Sequence, residues 1–117
     1  MSELPARCVP CDGDTPALSE GEARAHHADT PRWELDFVGA EIPRLARSFV
    51  TKDFRDALAW VNRVGMLAEE EGHHPDLHIR SWNRVEIVLW THAVGGLSIN
   101  DFVLARKIDA LAAKDGR

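Results

Sequence analysis

The sequence predicts an α+β fold, a two-layer sandwich in which a four-stranded antiparallel sheet carries its helices on one face. The apolar residues switch between the period of a strand and the period of a helix, in the order α-β-β-α-β-β-α. Consecutive strands favour antiparallel hairpins, and hairpins separated by helices favour separate layers. With 117 residues, 44% of them hydrophobic, the chain can form one domain with a small core.

The first 17 residues are expected to form an irregular arm, followed by one domain over residues 18–117. Proline, glycine and aspartate are frequent around the run Cys8-Val-Pro-Cys11, which is typical of a loop. Ser19 and Glu22 have the spacing of a capping box, and Leu18 is placed as a hydrophobic staple. These residues predict a short helix over 20–28.

The first hairpin is predicted over residues 33–49. Trp33-Glu-Leu35-Asp-Phe37 alternates apolar and acidic residues, which is the pattern of a half-buried strand. Gly39-Ala-Glu41 can turn the chain. Leu45 and Phe49 then share one face of a second strand, and Arg47 interrupts that face.

A long amphipathic helix is predicted after Asp53, which can cap its first turn, and before Gly72, which can end it in a left-handed conformation. Its last turn holds Glu69, Glu70 and Glu71, although the helix dipole disfavours anions there. We interpret Glu70 and Glu71 as a solvated acidic turn. The expected apolar stripe consists of Phe54, Ala57, Leu58, Val61, Val64 and Ala68.

A second hairpin and a last helix complete the predicted order. Its strands are Leu77–Trp82 and a longer one in which Val85, Ile87 and Leu89 face the core. His92 has the parity of Trp90 and leaves the strand end on the other face. Ser98 is expected to cap the final helix, whose apolar side consists of Ile99, Phe102, Leu104, Ile108 and Leu111.

Composition excludes several classes of function. The formal charge of -5 and pI of about 5.6 argue against broad electrostatic attraction to nucleic acid. No apolar stretch approaches the roughly 20 residues of a membrane span, and the N-terminus does not resemble a signal peptide. Two cysteines, Cys8 and Cys11, do not make an extracellular disulfide framework. We therefore expect a cytoplasmic protein that binds neither nucleic acid nor membrane.

Three histidines and an aspartate are the candidate catalytic residues: His73, His74, His92 and Asp101. Imidazoles titrate near neutral pH, so three of them beside carboxylates indicate proton transfer or metal binding. Three histidines and a water would suit catalytic zinc. We prefer a site without metal, because adjacent residues such as His73 and His74 seldom place both rings on one ion.

A structural zinc site on Cys8, Cys11, His26 and His27 is a second metal hypothesis. The Cys-x-x-Cys half has the right spacing, but zinc fingers usually separate their histidines by three to five residues. A redox-active cysteine pair is disfavoured, because no thioredoxin-like strand precedes it.

The spacing of the site residues resembles that of the pterin-4a-carbinolamine dehydratases. The resemblance covers about residues 7 to 111 and rests on Glu69, His73-His74-Pro75, Trp82, His92 and Asp101, with Leu89–Leu97 and Ala105–Leu111 around them. It implies removal of water from a 4a-hydroxytetrahydropterin to give a quinonoid dihydropterin, which recycles the pterin of aromatic amino acid hydroxylases. It implies no metal and no other cofactor. At Gly72 the chain departs from animal relatives, which carry an acidic residue there.

The resemblance also implies a set of site residues. His73 and His92 are expected to transfer protons and His74 to orient the pterin, while Asp101 both caps its helix and bonds toward the site. The spacing itself gives a further expectation: Glu69 lies four residues before His73 near a helix C-terminus, so its carboxylate is expected to pair with that histidine. The substrate-binding residues would be Glu69, Pro75, Trp82, Thr91, Ala93 and Val94.

Family members form homodimers or homotetramers, which is the expectation for this chain. Some animal members also act as dimerisation partners of a transcription factor. A non-catalytic binding module is therefore the alternative function.

Overall fold

The structure, a computed structural model, describes residues 4–9 and 15–117. Its elements are α1 (Glu20–His27), β1 (Glu34–Asp36), β2 (Arg44–Val50), α2 (Phe54–Glu71), β3 (Asp76–Arg80), β4 (Arg84–Leu89) and α3 (Ile99–Lys114), with a 3-10 turn at His92–Val94. The α+β class and the order α-β-β-α-β-β-α are confirmed. Within the described residues, no helix is both long enough and apolar enough to cross a membrane.

The four strands form one antiparallel sheet in the order β1-β2-β4-β3. Leu45 lies opposite Leu89, and Phe49 lies opposite Val85. Residues that lie opposite each other point to the same face of a sheet, so the odd-numbered residues of β2 and β4 form one apolar face. The apolar side chains on this face are buried, as the alternating pattern predicted: Leu45, Phe49, Val85, Ile87 and Leu89.

Arg47 interrupts the apolar face of β2, where the sequence placed it. Its guanidinium forms an ion pair with Asp109 of α3 and lies 4.3 Å from the centre of the Phe49 ring. Asp109 also accepts a hydrogen bond of 2.8 Å from the indole of Trp33. Burying the Arg47 charge without a partner would be costly, and the ion pair with Asp109 offsets that cost.

The buried stripe of α2 lies further round the helix than the sequence indicated. Phe54 and Leu58, which were expected in the core, are 50% and 45% exposed. Trp60 takes their place and packs edge-on against Phe49, with ring centres 5.1 Å apart. A large aromatic ring buries more area than the smaller residues beside it, so it sets the rotation of the helix. The buried residues of α2 are Ala57, Trp60, Val64 and Ala68.

The predicted ends of α1 and β3 differ from the structure. The capping box of Ser19 and Glu22 is present, but α1 ends one residue earlier than expected. β3 ends at Arg80 rather than at Trp82, because Ser81 and Trp82 have φ values of 50° and 60°. Such left-handed values belong to a tight turn and cannot continue a strand.

The first turns of α3 are buried on every side. Six consecutive residues, Asn100 to Ala105, are all buried. A helix that is apolar on one side only would leave some of these positions in water. The polar residues Asn100 and Asp101 are therefore held inside the molecule, where each must find hydrogen-bond partners.

Gly72 and Gly65 give a matched test of how α2 ends. Gly72 has a φ of 66°, whereas Gly65 lies inside the helix, and an added methyl group meets no atom within 4 Å at either position. Gly72→Ala should lower the free energy of unfolding by about 1–2 kcal/mol, because an alanine is strained in that conformation. Gly65→Ala should raise it by about 0.5–1 kcal/mol, because alanine favours a helix interior. Urea unfolding measures both, and the same sign in both variants would contradict this account.

Candidate active site

A pocket of about 560 Å³ opens where the end of α2, the 3-10 turn and the start of α3 meet. Its volume lies in the usual range for small-molecule sites. The described residues that line it are Cys8, Val9, Glu71, Gly72, His73, His74, Trp90, Thr91, His92, Ala93 and Asn100. The three histidines identified in the sequence all reach this one pocket.

The left-handed Gly72 separates the environments of the two adjacent histidines. It ends α2, and the backbone N–H of His73 then bonds to the carbonyl of Ala68 at 3.2 Å. After this turn the His73 side chain is 11% exposed, whereas that of His74 is 64% exposed. The two rings therefore have different partners and can serve different roles.

His73 is held by the fully buried carboxylate of Asp101. The distance from Nε2 of His73 to Oδ1 of Asp101 is 2.6 Å. An ionised carboxylate only accepts hydrogen bonds, so Nε2 of His73 carries the proton that it donates to Asp101. This fixes the tautomer and orientation of the ring and leaves Nδ1 for other chemistry.

The other carboxylate oxygen of Asp101 is also occupied. Oδ2 accepts a bond of 2.9 Å from the backbone N–H of Ser98 and one of 2.8 Å from the hydroxyl of Thr91. The Thr91 hydroxyl has one hydrogen, which it gives to Asp101, so the Ser98 hydroxyl donates to Thr91 at 2.7 Å. Asp101 therefore caps α3 and holds His73 at the same time.

Glu69 pairs with His74 and not, as the sequence suggested, with His73. Oε1 of Glu69 lies 2.7 Å from Nε2 of His74, and both side chains are largely exposed. The four-residue rule for side-chain pairs holds only while a helix continues. Gly72 ends α2 between Glu69 and His73, so the chain turns and places the ring of His74, not that of His73, beside Glu69.

His92 stacks against Trp90 at the other side of the pocket. The ring centres are 3.7 Å apart with a tilt of 32°. The indole N–H of Trp90 donates to Asp76 at 3.1 Å, which fixes the indole at the start of β3. His92 itself is exposed, so its ring is open to the pocket on a rigid aromatic support.

Four of the expected substrate-binding residues, Glu69, Pro75, Trp82 and Val94, are not part of the pocket lining. Trp82 is 60% exposed in the turn between β3 and β4, at the opposite end of that hairpin from Asp76 and the pocket. Pro75 begins the approach to β3, and Val94 closes the 3-10 turn behind Ala93. Thr91 and Ala93 line the pocket as expected.

Several lining residues were missed in the sequence. Trp90 shares the parity of His92, and this signal could have identified it. Glu71 was taken for part of a solvated turn, but its side chain is 5% exposed and bonded to Lys107 at 2.9 Å. Asn100 could have been noticed as a polar residue among apolar ones, although this is a weaker indication. Nothing in the sequence indicates the contacts of Cys8 and Val9.

The two metal hypotheses concern the histidine cluster and the cysteine pair. Across residues 4–9 and 15–117, no three histidine, cysteine or acidic side chains come together in a way that could hold a metal ion. Cys11 lies outside the described residues, as does its pairing with Cys8. The structure therefore offers no test of the structural zinc hypothesis.

Fold and site together define a small α+β protein with a histidine pocket organised by a buried carboxylate. A sequence profile described as "Pterin 4 alpha carbinolamine dehydratase" matches residues 16–111. The chain belongs to the pterin-4a-carbinolamine dehydratase family. This confirms the resemblance found in the sequence.

Individual relatives agree with this membership. A protein of Gloeobacter violaceus, provisionally named pterin-4-alpha-carbinolamine dehydratase 1, is 44% identical over 99% of this chain and 98% of its own. The mitochondrial pterin-4-alpha-carbinolamine dehydratase 2 of Arabidopsis thaliana is 44% identical over 93% of this chain and 58% of its own. A Brucella melitensis structure described as a transcriptional coactivator/pterin dehydratase superposes with a TM-score of 0.70 at 32% identity, covering 82% of this chain and 98% of that one.

The bond between Thr91 and Asp101 should be measurable as a coupling energy. We expect Thr91→Val and Asp101→Asn each to destabilise the protein, and the double variant to lose less than the sum of the two. The expected coupling is about 1–2 kcal/mol, because both substitutions break the same buried bond. Urea unfolding of the four proteins measures it, with Thr91→Ser as a control that retains the hydroxyl. Strict additivity would contradict the network.

Proposed function

We propose that this protein is a dehydratase that removes water from a 4a-hydroxytetrahydropterin and releases a quinonoid dihydropterin. The observation that carries the proposal is the Asp101–His73 pair, in which a buried carboxylate holds an imidazole at the wall of a pocket of suitable size. Membership of the dehydratase family supports the choice of substrate. The product would return to the aromatic amino acid hydroxylases that use the pterin.

The reaction requires two proton transfers and no change of oxidation state. The C4a–O bond breaks as an acid protonates the leaving hydroxyl, which departs as water. A base removes the proton on N5, and the electron pair of that N–H bond forms the new double bond between N5 and C4a. An acid and a base placed on opposite sides of the pterin would each contribute about 10²–10⁴-fold in rate.

His73 and His92 are our candidates for this pair. Asp101 supports His73 as the acid, because a buried carboxylate stabilises the imidazolium form of a histidine bonded to it. This reason replaces the one expected from Glu69, which pairs with His74. His92 has no acidic partner among the hydrogen bonds of the described residues, and this favours it as the base.

His74, Trp90 and Ala93 are proposed to bind the substrate. The exposed pair of His74 and Glu69 presents polar groups at the rim of the pocket, where pterin ring nitrogens can bond to them. The indole of Trp90 gives a flat apolar surface for a planar ring. These contacts would act equally on substrate and transition state.

The direct test is dehydration by the purified protein. A 4a-hydroxytetrahydropterin is generated in solution by a hydroxylase, and its decay is followed by ultraviolet absorbance with and without this protein. The proposal predicts faster decay that saturates with substrate concentration. Decay at the uncatalysed rate, with a folded protein, would refute it.

The three histidine variants should affect different kinetic parameters, kcat for two of them and KM for the third. His73→Ala and His92→Ala should each lower kcat by about 10² or more, because each removes a proton-transferring group. His74→Ala should mainly raise KM, which is the effect of lost binding shared by ground and transition states. Glu70→Ala, on the same helix turn but outside the pocket lining, is the control. An equal loss of kcat in all three histidine variants would show that this division is wrong.

Metal removal gives an independent prediction. The proposed chemistry transfers protons only, so prolonged treatment with EDTA should leave kcat and KM unchanged. Elemental analysis of the same sample is the control. Loss of activity together with loss of zinc would contradict the mechanism, whereas zinc without any effect on activity would direct attention to Cys8 and Cys11.

A second candidate is a binding role, which the coactivator description of the Brucella melitensis relative suggests. A protein with that role alone would show no turnover in the dehydration assay, so that assay separates the two. We further propose a homodimer or homotetramer, which sedimentation can test.

A further inference from the structure

Residues 4–9, here called the arm segment, lie along the first half of α3, from Arg106 to Asn100, and reach the pocket. Cys8 and Val9 contribute to the pocket lining beside Glu71 and Asn100. Val9 is 48% exposed, which leaves an apolar side chain at the pocket wall. The matched family profile begins at residue 16, after the arm segment.

Asn100 holds the arm segment by a double hydrogen bond to the backbone of one residue. Its Oδ1 accepts from the N–H of Val9 at 2.7 Å, and its Nδ2 donates to the carbonyl of Val9. The Cys8 thiol also donates to the backbone carbonyl of Asn100 at 3.6 Å. Asn100 is buried, so these partners satisfy an amide that has little access to water.

Glu71 holds the same segment one residue earlier. Its Oε1 accepts from the N–H of Cys8 at 2.9 Å, while its Oε2 accepts from the ammonium group of Lys107 at 2.9 Å. These two bonds lower the pKa of Glu71, which keeps the carboxylate ionised. Glu71 thus lies at a helix end where the dipole disfavours it, and its partners offset that cost.

Arg106 secures the beginning of the arm segment. Its guanidinium donates to the carbonyls of Leu4 and Pro5. Arg106 and Lys107 both belong to α3, which also carries Asn100 and Asp101. One helix therefore holds the catalytic histidine through Asp101 and the arm segment through its neighbours.

We infer that Asn100 and Glu71 are positioning residues that set substrate affinity by docking the arm segment as a wall of the pocket. This inference rests on the proposed pterin site. Neither side chain needs to touch the reacting atoms, because each acts through the backbone of Cys8 or Val9. A docked wall restricts where a planar ring can lie and presents Val9 for it to cover, and both effects favour binding.

Kinetics give the first readout. Asn100→Ala and Glu71→Ala should each raise KM by about tenfold while kcat changes by less than about threefold, since the proton-transferring residues remain in place. The Kd of 7,8-dihydrobiopterin, measured by calorimetry, should rise in parallel. Glu71→Ala serves as the second variant if Asn100→Ala does not fold. Glu70→Ala and Asn62→Ala are matched controls on exposed sites of α2, and both should keep the wild-type values.

The thiol of Cys8 gives a readout of docking that does not depend on activity. Burial, with the Glu71 carboxylate beside it, raises the pKa of the Cys8 thiol to about 12. The thiol is therefore protonated at pH 8 and should react slowly with a disulfide reagent. In a Cys11→Ser background Cys8 is the one remaining cysteine. There, Asn100→Ala or Glu71→Ala should speed its reaction by about tenfold or more, and the control variants should not.

The outcomes separate this inference from the proposed function. If the parent protein neither turns over the hydroxypterin nor binds 7,8-dihydrobiopterin, the proposed function fails, and the pterin role of the wall fails with it. If the parent is active but Asn100→Ala and Glu71→Ala keep its KM and Kd, the inference alone is overturned. If the variants speed the reaction of Cys8 but leave KM unchanged, the inference is also overturned. Release of the arm segment would then have no effect on substrate binding.

Discussion

The buried carboxylate of Asp101 is the constraint on which the site depends. It has no contact with solvent, so its charge is stabilised by three donors: the backbone of Ser98, the hydroxyl of Thr91 and the ring of His73. Removing any one donor leaves part of this buried charge without a hydrogen-bond partner, which is costly in an environment without water. The start of α3, the end of the second hairpin and the turn after α2 are thereby fixed together.

At the end of α2, the left-handed Gly72 gives neighbouring side chains different directions and different partners. Before Gly72, Glu71 faces the arm segment and Glu69 lies on the outer surface; after it, His73 enters the interior and His74 stays at the rim. A straight helix would have placed Glu69 beside His73. The acidic last turn is unfavourable for an isolated helix, but Glu69 and Glu71 both have hydrogen-bond partners outside the helix, in His74 and the backbone of Cys8.

Much of the fold could be predicted because local patterns and the final structure agree. The alternation in β2 and β4, the capping boxes at Ser19 and Ser98 and the stop at Gly72 all depend on neighbours in sequence. The rotation of α2 was predicted wrongly, because the burial of Trp60 is decided by packing against Phe49, which periodicity does not encode. The hydrogen-bond partners of Asp101, Glu69 and Glu71 depend on distances between elements. Sequence spacing identified these three residues, but it gave the wrong partner for Glu69 and the wrong environment for Glu71.

The hydrogen bond from His73 to Asp101 can be tested through the protonation of the His73 ring. Because Asp101 accepts and His73 donates, Nε2 should carry its proton in both the neutral and the charged ring. Two-bond ¹H–¹⁵N correlation spectra of uniformly ¹⁵N-labelled protein report this, with His73→Ala to assign the resonances. The account predicts that at high pH the Nε2 of His73 has the shift of a protonated nitrogen and Nδ1 that of an unprotonated one. The reverse pattern would contradict this arrangement, since Asp101 would then not be the group that orients His73.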